Sequence, residues 1–290
     1  VGVALRRVLA AIVAVLLAGD VVALAVTAGG DDGGGGAVPR EQAAAIRSVV
    51  TALQRFVESE RGLTFKAPVE VELLAGDAFV RRLRGAAERD TEAGERAERF
   101  LRAVHLLEKD VELESAVDDL LATAVVGFYD PKSKELVVRG TEPSPYVRAV
   151  LVHELTHALQ DQHFTLDRPA LDDRTDEASQ GFTGLVEGDA VRVQRAYLLS
   201  LSTEERRRFL AEEADLGDAP RDVPGVLIAV LLFPYQAGPA FVDAVLRAGG
   251  QPRLDAAFAA PPETSEHLLH PEARVLLVRD GGDDDVAGET

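Results

Sequence analysis

The sequence predicts an α+β fold, mainly helical, with a small sheet whose edge hairpin comes just before the central helix. Three observations predict it. Apolar residues recur at helical spacing in most segments after residue 40. Only residues 65–74, 124–129 and 135–139 read as strands, by alternation or by β-prone composition. Finally, 47% hydrophobic residues in a chain of 290 are enough to bury a sizeable core, in one large domain or two small ones.

Composition narrows the function classes. The formal net charge of −18 argues against a nucleic-acid partner, because phosphate binding relies on clustered Lys and Arg. The absence of cysteine removes disulfides, thiolate metal ligands and a lipid-anchored cysteine together. Any metal must therefore sit on His and carboxylate. Methionine is absent too, even at position 1, which fits either an alternative start codon or a fragment and leaves both open. No feature of the sequence speaks to oligomeric state.

In chain order, Arg6 and Arg7 precede an apolar run at 8–18, which Gly19 and Asp20 interrupt before it resumes at 21–28. This pattern predicts export or membrane insertion, with the remainder outside the cytoplasm. Asp20 near the centre of a spanning helix costs about 2.5–3.5 kcal/mol, but it is tolerable just past a signal h-region, and Ala23-Leu24-Ala25 supplies a cleavage site. An extracellular protein with a cleaved signal and one anchored in the membrane through this segment both fit. Residues 29–39 (GGDDGGGGAVP) form a flexible spacer, so 1–39 is a signal peptide or anchor plus linker.

Residues 40–115 form an N-terminal region of helices and a strand. Ala44, Val49, Val50, Leu53 and Val57 line one face of a helix over 40–60, and Val69, Val71 and Leu73 alternate along a strand at 65–74. Charged surface helices follow at 77–89 and 92–108, with His105 on a helix face rather than at a metal. Residues 116–279 form the next region. Its strands, 124–129 and 135–139, are joined by Asp130-Pro131-Lys132-Ser133-Lys134, a hairpin signal. A helix over 146–162 comes next, then helices from about 175 to 199, 203–214 and 226–246, the last bent at Phe233-Pro234-Tyr235. A short helix ends at Pro261-Pro262, 274–279 reads as a last strand, and 280–290 is an acidic tail.

The helix at 146–162 contains His153-Glu154-Leu155-Thr156-His157, the H-E-x-x-H pattern of zinc hydrolases. Two histidines four apart differ by about 40° around a helix and about 6 Å along it, so both imidazoles reach one ion. Glu154 stands where it can hold the attacking water without ligating the metal. For the third ligand, His163 has the metzincin spacing but lacks the glycine that pattern requires at Gln160. On a continuing helix His163 would lie about 240° from His157, and the chain has no methionine for the Met-turn. Glu187, thirty residues after His157 in GLVEGDA, matches the gluzincin arrangement, with Gly184 and Gly188 leaving a smooth surface for another backbone. Asp161 and Asp189 are either acceptors for a ligand imidazole or solvated.

The series GFYDPKSKEL, VHELTHALQDQHF, LVEGDA, FPYQAGPAFV and TSEHLLHPE resembles a family of exported bacterial gluzincin-like zinc metallopeptidases, largely uncharacterised, over residues 65–272. The resemblance implies a zincin-like fold over 116–279. It also implies Zn2+ on His153, His157 and Glu187, with Glu154 as catalytic base. Of Tyr235, His267 and His270, the candidate donors to a developing oxyanion, it favours Tyr235 and His270 near the site. Members of the family continue past the point where this chain ends. The implied activity is hydrolysis of peptide bonds in a peptide or protein substrate, which the hairpin could pair with along its edge. The alternatives are a catalytically silent zinc-binding scaffold at the cell surface and a zinc amidase acting on a non-peptide substrate. The intact Glu154 favours an enzyme, since a structural site needs no base.

Overall fold

A computed structural model describes residues 40–272 except 75, 87–90, 141, 169–170, 172–175 and 216–223. The expectations for 1–39, for a strand at 274–279 and for the tail at 280–290 lie outside these residues. Nine helices and three strands follow in order among the described residues. They are α1 (Arg40–Arg61), β1 (Val71–Leu74), α2 (Gly76–Ala86), α3 (Thr91–Ala103), α4 (Leu113–Ala124), β2 (Gly127–Tyr129), β3 (Leu136–Arg139), α5 (Pro145–Phe164), α6 (Asp176–Ser200), α7 (Thr203–Asp215), α8 (Gly225–Ala259) and α9 (Ser265–Leu269). The strands form one sheet in the order β1-β3-β2. This is the mainly helical α+β class that the sequence predicts.

β3 is central. It pairs in parallel with β1, Val71 opposite Leu136, and antiparallel with β2, Gly127 opposite Val138 and Tyr129 opposite Leu136. The β2–β3 hairpin therefore carries an edge strand, and α5 follows it directly. The turn is built on Asp130, whose carboxylate accepts from the Lys132 backbone N–H (2.9 Å) and the Ser133 hydroxyl (2.7 Å). Lys134 closes the turn at φ 63°, a left-handed conformation that costs a non-glycine residue about 1–2 kcal/mol.

Several elements differ from expectation. Residues 113–124 form a helix, with Leu113, Ala116 and Val117 buried, so the predicted strand at 124–129 shrinks to three residues. His105 lies past the end of α3 at φ 58°, in a turn rather than on a helix face. Helix α8 runs through Pro234, and the non-helical dihedrals fall instead at Gly249 and Gly250, where φ reaches 66° at a residue without a Cβ. By length and composition, α8 is the one described helix that could cross a membrane, and 56% of its most apolar window is buried within the protein.

The described chain divides into two compact units. The first holds residues up to Asp167 together with Ala190–Leu232. Its core surrounds α5: Val150, Leu151, Leu155 and Leu159 pack with Leu53 and Val57 of α1, Leu136 and Val138 of β3, Val193 and Tyr197 of α6, and Phe209 of α7. Truncating a buried leucine of this kind to alanine costs about 2–5 kcal/mol. The second unit holds Arg168–Asp189 and the chain from Phe233 onward. There α6 and α8 meet backbone to backbone. A methyl group on Gly188 would strike the Gly238 carbonyl, and one on Gly238 would strike the Gly184 carbonyl oxygen. The smooth surface expected at Gly184 and Gly188 exists, and it is filled by α8 at Gly188 and by the Leu268 side chain of α9 at Gly184. Arg168 adds to this unit by donating to the Phe258 carbonyl (2.8 Å) and stacking over Phe182.

Candidate metal centre

Helix α5 forms because its N-terminus is well capped and its surface is buried nearly all round. Ser144 accepts from the Val147 N–H (3.2 Å) and Pro145 occupies the first turn, where its missing N–H is not needed. Every residue from Pro145 to Asp161 except Arg148 is buried, as expected of a helix without a polar face. The helix passes Gln160 without a break and closes at Thr165, whose N–H reaches the Asp161 carbonyl (3.0 Å).

On this helix His153 and His157 bring their Nε2 atoms to 2.9 Å, with ring centroids 4.6 Å apart. The Glu187 carboxylate joins them, so that one ligand atom from each of the three residues lies within 4.8 Å of the others. Glu187 stands on α6, which continues unbroken through Ala190 to Ser200 and is tied to α5 where Gln194 donates to the Ala149 carbonyl (3.3 Å). Exposure is 1% for His153, 8% for His157, 2% for Glu187 and 2% for Glu154.

The donor set fits a divalent ion. Two ligands each about 2.0 Å from a zinc stand roughly 3–4 Å apart, and the two imidazoles are close to that spacing. Burying an ionised carboxylate costs free energy, and a divalent ion bound to it would offset part of that cost. Two imidazoles and one carboxylate leave a coordination position for water or substrate.

His163 has another role. Because α5 does not break, its Nε2 donates to the Thr64 carbonyl (2.8 Å), which ties the segment before β1 to the end of α5, and it is not part of the cluster. Gln162 helps in the same way, bonding the Lys66 N–H (2.6 Å) and both backbone groups of Ala67. Asp161 is neither solvated nor bonded to a ligand imidazole. Its carboxylate accepts from the Tyr129 hydroxyl (2.7 Å), Lys134 Nζ (2.6 Å) and the Leu166 N–H (2.9 Å). Burial, and then the bond to Asp161, hold the Tyr129 hydroxyl well above the usual phenol range, so it remains a donor. Asp189 is fully buried.

Tyr235 is 1% exposed, inside the second unit. His270 caps α9 at the surface with its ring near Glu266 (3.3 Å) and Glu272 (3.7 Å), and His267 Nδ1 accepts from the Glu263 N–H (3.2 Å).

Two residues at the site escaped the sequence reading. Gln160, fully buried, accepts through Oε1 from His157 Nδ1 (3.0 Å). Gly127 of β2 abuts the motif: a Cβ there would lie 2.6 Å from Val150 and 3.3 Å from Cγ of Glu154. A glycine inside a short strand is itself a signal of close approach. Comparison with protein-family models, curated proteins and solved structures returns no match.

Proposed function

We propose that the protein is a gluzincin-like zinc metallopeptidase of zincin-like fold, which hydrolyses peptide bonds outside the cytoplasm. The observation that carries this reading is the convergence of His153, His157 and Glu187 in a buried cluster with Glu154 on the same helix. Zinc is the metal chosen, because a buried set of two imidazoles and one carboxylate with no thiolate suits it and H-E-x-x-H is its hydrolytic pattern. The location rests on Arg6, Arg7 and the apolar run that follows them.

When bound, zinc supplies Lewis-acid activation of a water and of the scissile carbonyl. Glu154 accepts the proton from the attacking water and returns it to the leaving amine. A donor must also face the developing oxyanion. Of the two residues the resemblance offers, Tyr235 and His270, burial favours Tyr235, because a donor gains strength where water is excluded.

Strand β2 supports an extended peptide as substrate. Val126 accepts from the Arg139 N–H and Asp130 donates to the Glu135 carbonyl, so alternation turns the backbone groups of Gly127 and Tyr129 away from β3. No further strand pairs with that edge among the described residues. Gly127 of this strand packs its face against Glu154, so a peptide paired along the edge would run alongside the helix that carries the base.

The test is incubation of the full chain with a library of extended peptides, before and after metal removal by a chelator. Cleavage is expected with metal bound, is lost on chelation and returns with added zinc. Retained zinc without cleavage of any peptide would favour the scaffold reading, and cleavage of non-peptide amides alone would favour the amidase.

A further inference from the structure

Gln160 and Asp161 are neighbours on α5, both buried, and both lie within one turn of His157. A metal-bound histidine commonly donates its other ring N–H to a carboxylate, a backbone carbonyl or a water, which fixes the tautomer and aims the ligating nitrogen. Asp161 has the charge for that role and is the nearer in kind. It is instead saturated by the hairpin and the helix end, with Tyr129 from β2, Lys134 from the turn and the Leu166 N–H around its two oxygens.

The bond to His157 comes from Gln160. An amide oxygen only accepts, so His157 carries its proton on Nδ1 and directs a bare Nε2 toward His153. This is the tautomer that a ligand through Nε2 requires.

We propose that the two residues divide the support of the site: Gln160 is the positioning residue for the ligand His157, and Asp161 is the anchor of the β2–β3 hairpin. Lys134 illustrates the second half. Its left-handed backbone would suit glycine or asparagine, yet a lysine occupies it and delivers Nζ to Asp161 across 27 residues. Tyr129 sits two residues from Gly127, so the same carboxylate holds the strand that abuts Glu154. A neutral acceptor on His157 also leaves the ligand set one negative charge lower than a carboxylate acceptor would.

The inference rests on the metal-centre reading above, and the experiment separates the two. Zinc affinity of the full chain is measured by competition with a chelator of known affinity. Amide hydrogen exchange of residues 130–135 is followed in the same samples. Gln160→Met, similar in size but without an acceptor, is expected to weaken zinc binding about 10–100-fold and to leave hairpin exchange unchanged. Gln160→Glu keeps an acceptor and is expected to bind zinc at least as tightly as the unmodified chain. Asp161→Asn is expected to keep zinc affinity within about threefold and to speed hairpin exchange at least about tenfold.

Equal zinc affinity in Gln160→Met, or a tenfold loss in Gln160→Glu, overturns the role of Gln160 even if the unmodified chain binds zinc. An Asp161→Asn chain that loses zinc while its hairpin stays protected overturns the division. If Gln160→Met does not fold, Gln160→Glu and Asp161→Asn decide the matter. An unmodified chain without zinc affinity removes the metal reading and this inference with it.

Discussion

Replacing Glu154 by glutamine is expected to leave zinc bound and to lower peptide hydrolysis by about 10²–10⁴-fold, the usual contribution of a positioned general base. The substitution is close to isosteric. It matters that Glu154 is 2% exposed and that its Cγ lies only 3.3 Å from where a Cβ on Gly127 would be, because a residue of another shape would disturb β2 as well as the chemistry. Glutamine keeps the packing, and the proposed ligands His153, His157 and Glu187 stay in place. Only the ability to accept a proton is lost. The check is kcat/KM on a cleaved peptide together with zinc content. A rate within about threefold of the unmodified chain would remove Glu154 from the mechanism, and loss of zinc would mean that it serves the metal rather than the water.

Gly238→Ala is expected to destabilise the metal-free protein by about 1–3 kcal/mol and to weaken zinc binding. A flexible side chain can swing away from an added methyl group. Here the obstacles are the Gly184 carbonyl oxygen and, at 3.0 Å, the Cα and N of Gly188, all backbone atoms of α6. The helices must move apart to admit it. Glu187 is the residue before Gly188, so the strain acts on the segment that carries the proposed third ligand. Gly225→Ala, at the start of the same helix with nothing within 4 Å of the new methyl, serves as control and is expected to change stability by less than about 0.5 kcal/mol. Denaturant unfolding in the presence of a chelator separates packing from the metal contribution. Equal stability of the two variants would contradict the close contact.

What was legible in the sequence was mostly local. The histidine spacing, the place of Glu154 beside His153 and the helical context of 145–164 all belong to one helix. The choice of Glu187 over His163 was also legible, because it turned on whether α5 breaks at Gln160, and glutamine does not break a helix. What the sequence hid was the identity of partners. Gly184 and Gly188 announced a close backbone approach without saying that Gly238 of α8 makes it. For Asp161 the sequence left an imidazole acceptor and a solvated carboxylate both open, and it is neither, because Lys134 and Tyr129 reach it first. Gln160 stands where the metzincin pattern requires a glycine, and that spacing says nothing of its amide oxygen as an acceptor for His157. Helix α4 was hidden because its end at Ala124 runs straight into the β-prone residues before Gly127. In α8 the prolines drew the expected bend to 233–235, whereas the non-helical residues are two glycines near its other end.

The most direct test of the central claim is zinc stoichiometry and affinity in three full-length chains: unmodified, Glu187→Ala and His163→Ala. A centre built from His153, His157 and Glu187 predicts one tightly bound zinc in the unmodified chain. It predicts a severe loss of affinity in Glu187→Ala and near-normal affinity in His163→Ala, whose imidazole is bonded to the Thr64 carbonyl. Tight zinc that survives Glu187→Ala and disappears with His163→Ala would contradict it.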